Sequence, residues 1–268
     1  MAHEKKVSRQ APALIDFVID DSGSMADNMP GTSTPKFQYV ERNFGILLKE
    51  LLGRSTEVRG DGTVAIKPRY YVRITPYGSS PTVMGLGLMD IEKAVEVFTQ
   101  AGNSLGLGGK LGGTDADAAL KMACADLKQD VADPRFRESF PPLVFHLTDG
   151  ESQTDPSVVA QQIQSLSTSD GTVLMVNAFF GTHTSLGYQG PDDFPGYVDA
   201  GEAGPSNDNI TLFNASSPIP ASMHQNLTGD GIFPKLRPQS RLFFDVRTTH
   251  MLKAVIQVVG SIGSRAVK

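Results

Sequence analysis

The chain has 268 residues, a net charge of −5 and one cysteine, Cys124. With 40% apolar and 20% charged residues it has enough apolar surface to bury a core, which excludes a disordered chain. The acidic balance argues against a nucleic-acid partner held on a broad basic face, and the lone cysteine excludes an intramolecular disulfide framework and a Cys-based zinc site.

Residues 1–11 are polar and charged and read as a flexible N-terminal tail without the apolar run of a secretory signal. No apolar run is long enough to span a bilayer, so the expectation is a cytoplasmic protein with no membrane partner. Residues 12–268 read as a single domain. The run 14–19 predicts a buried strand that ends at Asp20. Val40, Phe44, Leu47, Leu48 and Leu51 then recur at helical spacing, with Gly53 as the expected stop. Residues 70–75 alternate as a strand does, and Asp90 is placed to cap a short helix carrying Ala94, Val95 and Phe98.

Leu120, Cys124, Leu127 and Val131 mark one helix face; 143–147 is an apolar strand, and Asp155-Pro156 opens a helix with Val159, Ile163 and Leu166 inward. Residues 172–180 predict another strand, 211–213 a short edge strand, and Leu252, Val255, Ile256 and Val259 a closing helix. This alternation predicts an α/β fold, a mostly parallel central sheet with helices on both faces. Two segments interrupt it. Residues 26–36 and 187–208 are rich in Gly, Pro and small polar residues and read as loop insertions, the second as a long surface loop.

The most informative segment is Phe17-Val-Ile-Asp20-Asp-Ser22-Gly-Ser24-Met25. A carboxylate at a strand end is followed by two hydroxyls spaced by one residue, and ligands of open α/β sheets bind at the C-terminal strand ends. Two later segments supply matching oxygen donors. Leu111-Gly-Gly-Thr114-Asp115 sets a hydroxyl between a Gly-rich turn and a helix, and Phe145-His-Leu-Thr-Asp149-Gly150 sets a carboxylate at another strand end. Oxygen-only ligand sets suit hard cations such as Mg²⁺.

These three segments, in this order and context, resemble the metal-ion-dependent adhesion site (MIDAS) of the von Willebrand factor A (vWA) domain family. The resemblance covers most of the chain and implies a Rossmann-like domain holding one divalent ion, Mg²⁺ first and Mn²⁺ or Ca²⁺ as alternatives. It implies that Ser22, Ser24 and Thr114 donate hydroxyl oxygens, and that Asp20 and Asp149 bind directly or through waters. The remaining coordination position would take an Asp or Glu from a partner protein. It implies no catalytic activity. Two carboxylates roughly neutralise a divalent ion, and three neutral hydroxyls leave it electrophilic enough to recruit that acid.

Among vWA proteins the chain looks most similar to the cytoplasmic bacterial members associated with tellurium resistance (TerY-like) and stress signalling. The partners this implies are a Ser/Thr kinase with a PP2C-type phosphatase, or a MoxR-type ATPase. Of the neighbouring acids, Asp115 and Asp117 fit the first turn of a helix, while Asp21 and Glu151 are expected to deepen the negative field at the site.

Competing patterns are weaker. Gly102-Asn-Ser104-Leu-Gly106 matches the hydrolase elbow but lacks the strand before it, and Lys110 is followed by Leu111 where a phosphate loop needs Ser or Thr. A phosphoryl-transfer enzyme using Asp20 is the main alternative, although Ser22 stands where such enzymes carry a second acid. A scaffold with a vestigial metal site is the other. His146 reads as a packed core residue, His183, His224 and His250 show no metal spacing, and Asp16, inside the first strand, is expected to pair with a buried Arg or Lys.

Overall fold

The computed structural model describes residues 3–79, 86–150, 152, 154–180 and 186–261. In chain order its elements are β1 (Ala13–Asp20), α1 (Lys36–Arg54), the hairpin β2 (Thr56–Val58) and β3 (Val64–Ile66), β4 (Tyr70–Tyr77), β5 (Leu86–Asp90), α2 (Ile91–Gln100), α3 (Ala116–Asp130), α4 (Pro134–Arg137) and β6 (Leu143–Thr148). They continue with α5 (Ser157–Ser165), the small hairpin β7 (Ser167–Thr168) and β8 (Gly171–Thr172), β9 (Leu174–Phe179), α6 (Ala200–Ala203), α7 (Asn207–Ala215), α8 (Ala221–Gly229), β10 (Phe243–Asp245) and α9 (Thr249–Gly260).

A six-stranded sheet of order β10-β9-β6-β1-β4-β5 forms the centre, parallel except for the edge strand β5. Every residue of β1 is buried, because helices cover both faces of the sheet. Ala13, Ile15, Phe17 and Ile19 point into one core with α1, α2 and α9. Leu14 and Val18, offset by one residue, point into a second core with α3 and α5. This is a mixed α/β, Rossmann-like architecture.

The strand order reverses between β1 and β6, each the first strand of its half of the sheet. Such a switch point leaves a crevice at the carboxyl ends of the strands. The register pairs Ile19 with Leu147, so Asp20 and Asp149 leave the sheet at the same edge.

The structure alters several sequence readings. Residues 211–213 lie within helix α7 and form no strand: Leu212 and Phe213 pack into the core and Asn209 is buried, so tertiary burial sets the helix. Helix α1 passes Gly53 and ends at Arg54, capped by Ser55. Segment 187–208 is not a surface loop, since Tyr188, Phe194 and Tyr197 are buried in the first core and Phe194 packs edge-on against both tyrosines. Asp16 pairs with Arg73 of β4, which also bonds Asp130 at the end of α3. Segment 3–11 carries no helix or strand, and the amides of Glu4 and Lys5 donate to the Asp170 carboxylate. Glu151 and His183 lie outside the described residues.

Candidate functional site

The expected donor residues Asp20, Ser22, Ser24, Thr114 and Asp149 converge at the switch point. Asp20 is buried at the end of β1; its Oδ1 accepts from the Ser22 amide at 2.8 Å and its Oδ2 from the Thr148 hydroxyl at 2.7 Å. The hydroxyls of Ser22 and Ser24 lie 3.1 Å apart, and Ser24 Oγ donates to Asp149 Oδ1 at 2.7 Å. Thr114 joins from the other side. A Cβ added at Gly150 would lie 3.2 Å from Thr114 Oγ1, 3.8 Å from Ser24 Oγ and 3.9 Å from Asp20 Oδ2. Glycine at 150 therefore keeps open a small cradle faced by oxygens from three loops.

Local structure explains the convergence. After β1 the chain turns through a short 3-10 segment, Gly23–Ala26, which brings Ser22 and Ser24 back over the strand end. The Gly-rich segment before Thr114 is hung on Asp21, whose Oδ1 accepts from the amides of Gly108 (2.8 Å) and Gly109 (2.6 Å). Gly23 and Leu111 complete the seam by donating to the carbonyls of Gly112 and Asp21 respectively. Gly109 has φ +63°, and a Cβ there would meet the Ala26 backbone nitrogen at 2.8 Å, so this close approach requires glycine. Asp21 thus positions the threonine loop, a role that strand and helix periodicity does not signal. Asp115 caps α3 by accepting from the Ala118 amide, and Asp117 pairs with Lys121. Ser104 donates to Glu41 Oε1, which also accepts from the amides of Leu105 and Leu107, so this pair ties the loop after α2 to α1.

Burial, opposed by the hydrogen bonds from Thr148 and Ser22, pushes the Asp20 carboxyl above the usual carboxylate range, and the neighbouring Asp149 adds to the rise. Such a carboxylate gains from a cation placed beside it. Among the described residues no three His, Cys, Asp or Glu side chains gather as a metal site. The cradle offers two carboxylates and supplies its other oxygens from hydroxyls, a hard-cation donor set. Its chemistry and the space kept by Gly150 fit a divalent ion. The sequence did not point to Lys36, the first residue of α1. Its Nζ lies 2.5 Å from Asp149 Oδ2 and 3.2 Å from the Ser24 carbonyl oxygen.

Beside the cradle, sharing Thr148 and Gly150 with it, is a cavity of about 210 Å³ lined also by His146, Thr154, Asp208 and Thr211. His146 is sealed in its wall. Asn177 donates through Nδ2 to Ser216 and to the Leu212 carbonyl, so its Oδ1 must accept from His146 Nδ1 at 2.8 Å. His146 Nε2 then accepts from the Tyr77 hydroxyl, also at 2.8 Å. Burial holds this imidazole neutral, its pKa lowered to about 4.

The fold has counterparts among solved structures. The pilus adhesin SpaC from Lactobacillus rhamnosus GG superposes with a TM-score of 0.55 at 14% identity, over 96% of this chain and 31% of that one. The proximal thread matrix protein 1 of the mussel byssus gives 0.47 at 13% identity, over 96% of this chain and 46% of that protein. The VWA domain of SpRpn10 gives 0.42 at 13% identity, over 64% of this chain and 76% of that domain. What this chain shares with the adhesin is the α/β fold. The chain spans less than half the length of the adhesin and the byssus protein. No protein-family model matches the sequence, and no curated protein matches it. Among the described residues no helix is long and apolar enough to cross a membrane.

Proposed function

We propose that this chain is a protein-interaction module that holds a divalent cation, Mg²⁺ first, on Asp20, Ser22, Ser24, Thr114 and Asp149. The ion would present an electrophilic position to an Asp or Glu of a partner protein. The observation that carries this reading is the meeting of two carboxylates and three hydroxyls from separate loops around the space beside Gly150. Asp20 is buried, and Ser22 stands where a phosphoryl-transfer enzyme carries its second acid, which supports a ligand role over that of an attacking nucleophile. The neighbouring hydroxyls orient the carboxylates without adding charge. The wider setting we propose is a cytoplasmic bacterial signalling or stress-response system, with a Ser/Thr kinase and PP2C-type phosphatase, or a MoxR-type ATPase, as partner.

Thermal unfolding of the metal-stripped protein tests the site. An ion at about 100 times its Kd stabilises the fold by ~2.7 kcal/mol. The midpoint is expected to rise with Mg²⁺ or Mn²⁺ in the wild type and to stay put in Asp149→Ala and in Ser22→Ala. A wild-type midpoint indifferent to both ions at millimolar concentration sinks the reading, and an equal rise in Asp149→Ala places the ion elsewhere.

A further inference from the structure

We infer that Lys36 is a tethered counter-cation, which a divalent ion must displace from Asp149 in order to load the cradle. The inference rests on reading the cradle as a cation site. The Asp149 carboxylate is fully buried, and both of its oxygens are committed, Oδ1 to the Ser24 hydroxyl and Oδ2 to the Lys36 ammonium at 2.5 Å. The Lys36 side chain is itself only 14% exposed. A second contact, to the carbonyl of Ser24, fixes the ammonium against the donor loop.

The position of this lysine is unusual. It opens α1, whose first turn contains no acid, so its charge opposes the helix dipole. Asp149 supplies the compensation. The loop before it is built to hold this placement: Asn28 bridges to Pro35, the Met29 amide donates to the Thr34 carbonyl, Met29 is buried in the core, and the Lys36 amide donates to the Asp27 carbonyl. Segment 26–36 thus forms a folded arm whose end carries a positive charge to the carboxylate that a metal would use.

Two cations cannot share one buried carboxylate at full strength, because their repulsion is poorly screened there. Loading the cradle therefore requires the ammonium to leave Asp149, and its natural exit is toward solvent along its own flexible stem. The consequence is a site of reduced intrinsic affinity whose occupancy is coupled to the 26–36 arm. A partner that engages the expelled lysine with its own acidic group would favour the loaded state, and metal and partner would then bind cooperatively.

The test is the affinity of the metal-stripped full chain for Mn²⁺, read by titration calorimetry and by the electron paramagnetic resonance of free Mn²⁺. Lys36→Met keeps the apolar stem and removes the charge; Lys36→Arg keeps the charge; Asp149→Ala removes the shared carboxylate. Circular dichroism confirms that each variant is folded. Lys36→Met is expected to bind Mn²⁺ roughly ten- to hundred-fold more tightly than the wild type, Lys36→Arg within a few-fold of it, and Asp149→Ala not measurably. Equal or weaker binding by a folded Lys36→Met, with the wild type binding, overturns the role of Lys36 and leaves the cation site standing. Absence of binding in both the wild type and Lys36→Met overturns the cation site and this inference together.

Discussion

Replacing Arg73 with methionine is expected to cost about 3–5 kcal/mol of stability at pH 7, the range for removing one partner of a buried ion pair. Its guanidinium is shared by three acids: Nη1 bonds Asp16 Oδ2 at 2.9 Å, Nη2 bonds Asp130 Oδ2 at 2.7 Å, and Nε lies 3.5 Å from Asp126 Oδ2. Asp16 is fully buried on β1, and its Oδ1 has no hydrogen-bond partner among the described residues. Without the arginine, all three carboxylates, on the α3 side of the sheet, lose this shared cation. Methionine fills much of the volume, so the loss reports charge more than cavity. Urea unfolding measures it directly, and in a chain of this size each kcal/mol moves the melting midpoint by roughly 2–4 °C. The deficit should shrink at pH 5, where Asp16 takes up a proton. A loss below about 1 kcal/mol at pH 7 would show that water already screens these acids.

The second large effect concerns pH. His146 titrates at about 4 in the folded protein, against an ordinary 6.5, because burial disfavours its charged form. The unfolded chain therefore binds the proton first as pH falls. Stability from the neutral imidazole is complete above about pH 6.5 and is lost progressively toward pH 4, by ~3 kcal/mol at 1.36 kcal/mol per unit.

Asp16 acts in the opposite sense. Burial outweighs Arg73 and raises its carboxyl from 3.8 to about 6, so the folded chain takes that proton first and gains a similar ~3 kcal/mol between pH 6 and pH 4. The two residues offset each other over the acid range. Relative to the wild type, Asp16→Asn is thus expected to lose about 3 kcal/mol between pH 7 and pH 4, and His146→Gln to gain about as much. Denaturant unfolding of the three proteins across that range checks both signs. Parallel curves for all three would mean that neither group titrates as its surroundings dictate.

The central strands were legible because burial on both faces leaves continuous apolar runs, as in β1, β6 and β9, and the helices α1, α3, α5 and α9 because each shows an apolar stripe. The five residues that meet beside Gly150 were singled out by their type and spacing together with the resemblance to the vWA family, and the structure brings them together. What escaped lacks a local signal. β10 has three residues, too few to show a period, and is set by pairing with β9. Helix α7 reads as polar and is fixed by burial of Leu212, Phe213 and Asn209. The aromatic residues of 187–208 are spread among glycines and prolines, so only the folded chain gathers them around Phe194. Lys36 reaches a carboxylate 113 positions away, a meeting that no window along the chain contains.

Asp21 shows how the donor loops are joined. One of its carboxylate oxygens suspends the segment leading to Thr114, and its backbone is stitched to Tyr77 and Leu111. The serine loop and the threonine loop therefore behave as one splinted piece, with Asp21 as the rivet. Damage at that rivet would be felt as a misplaced Thr114 hydroxyl, in a protein whose five cradle residues are all chemically intact.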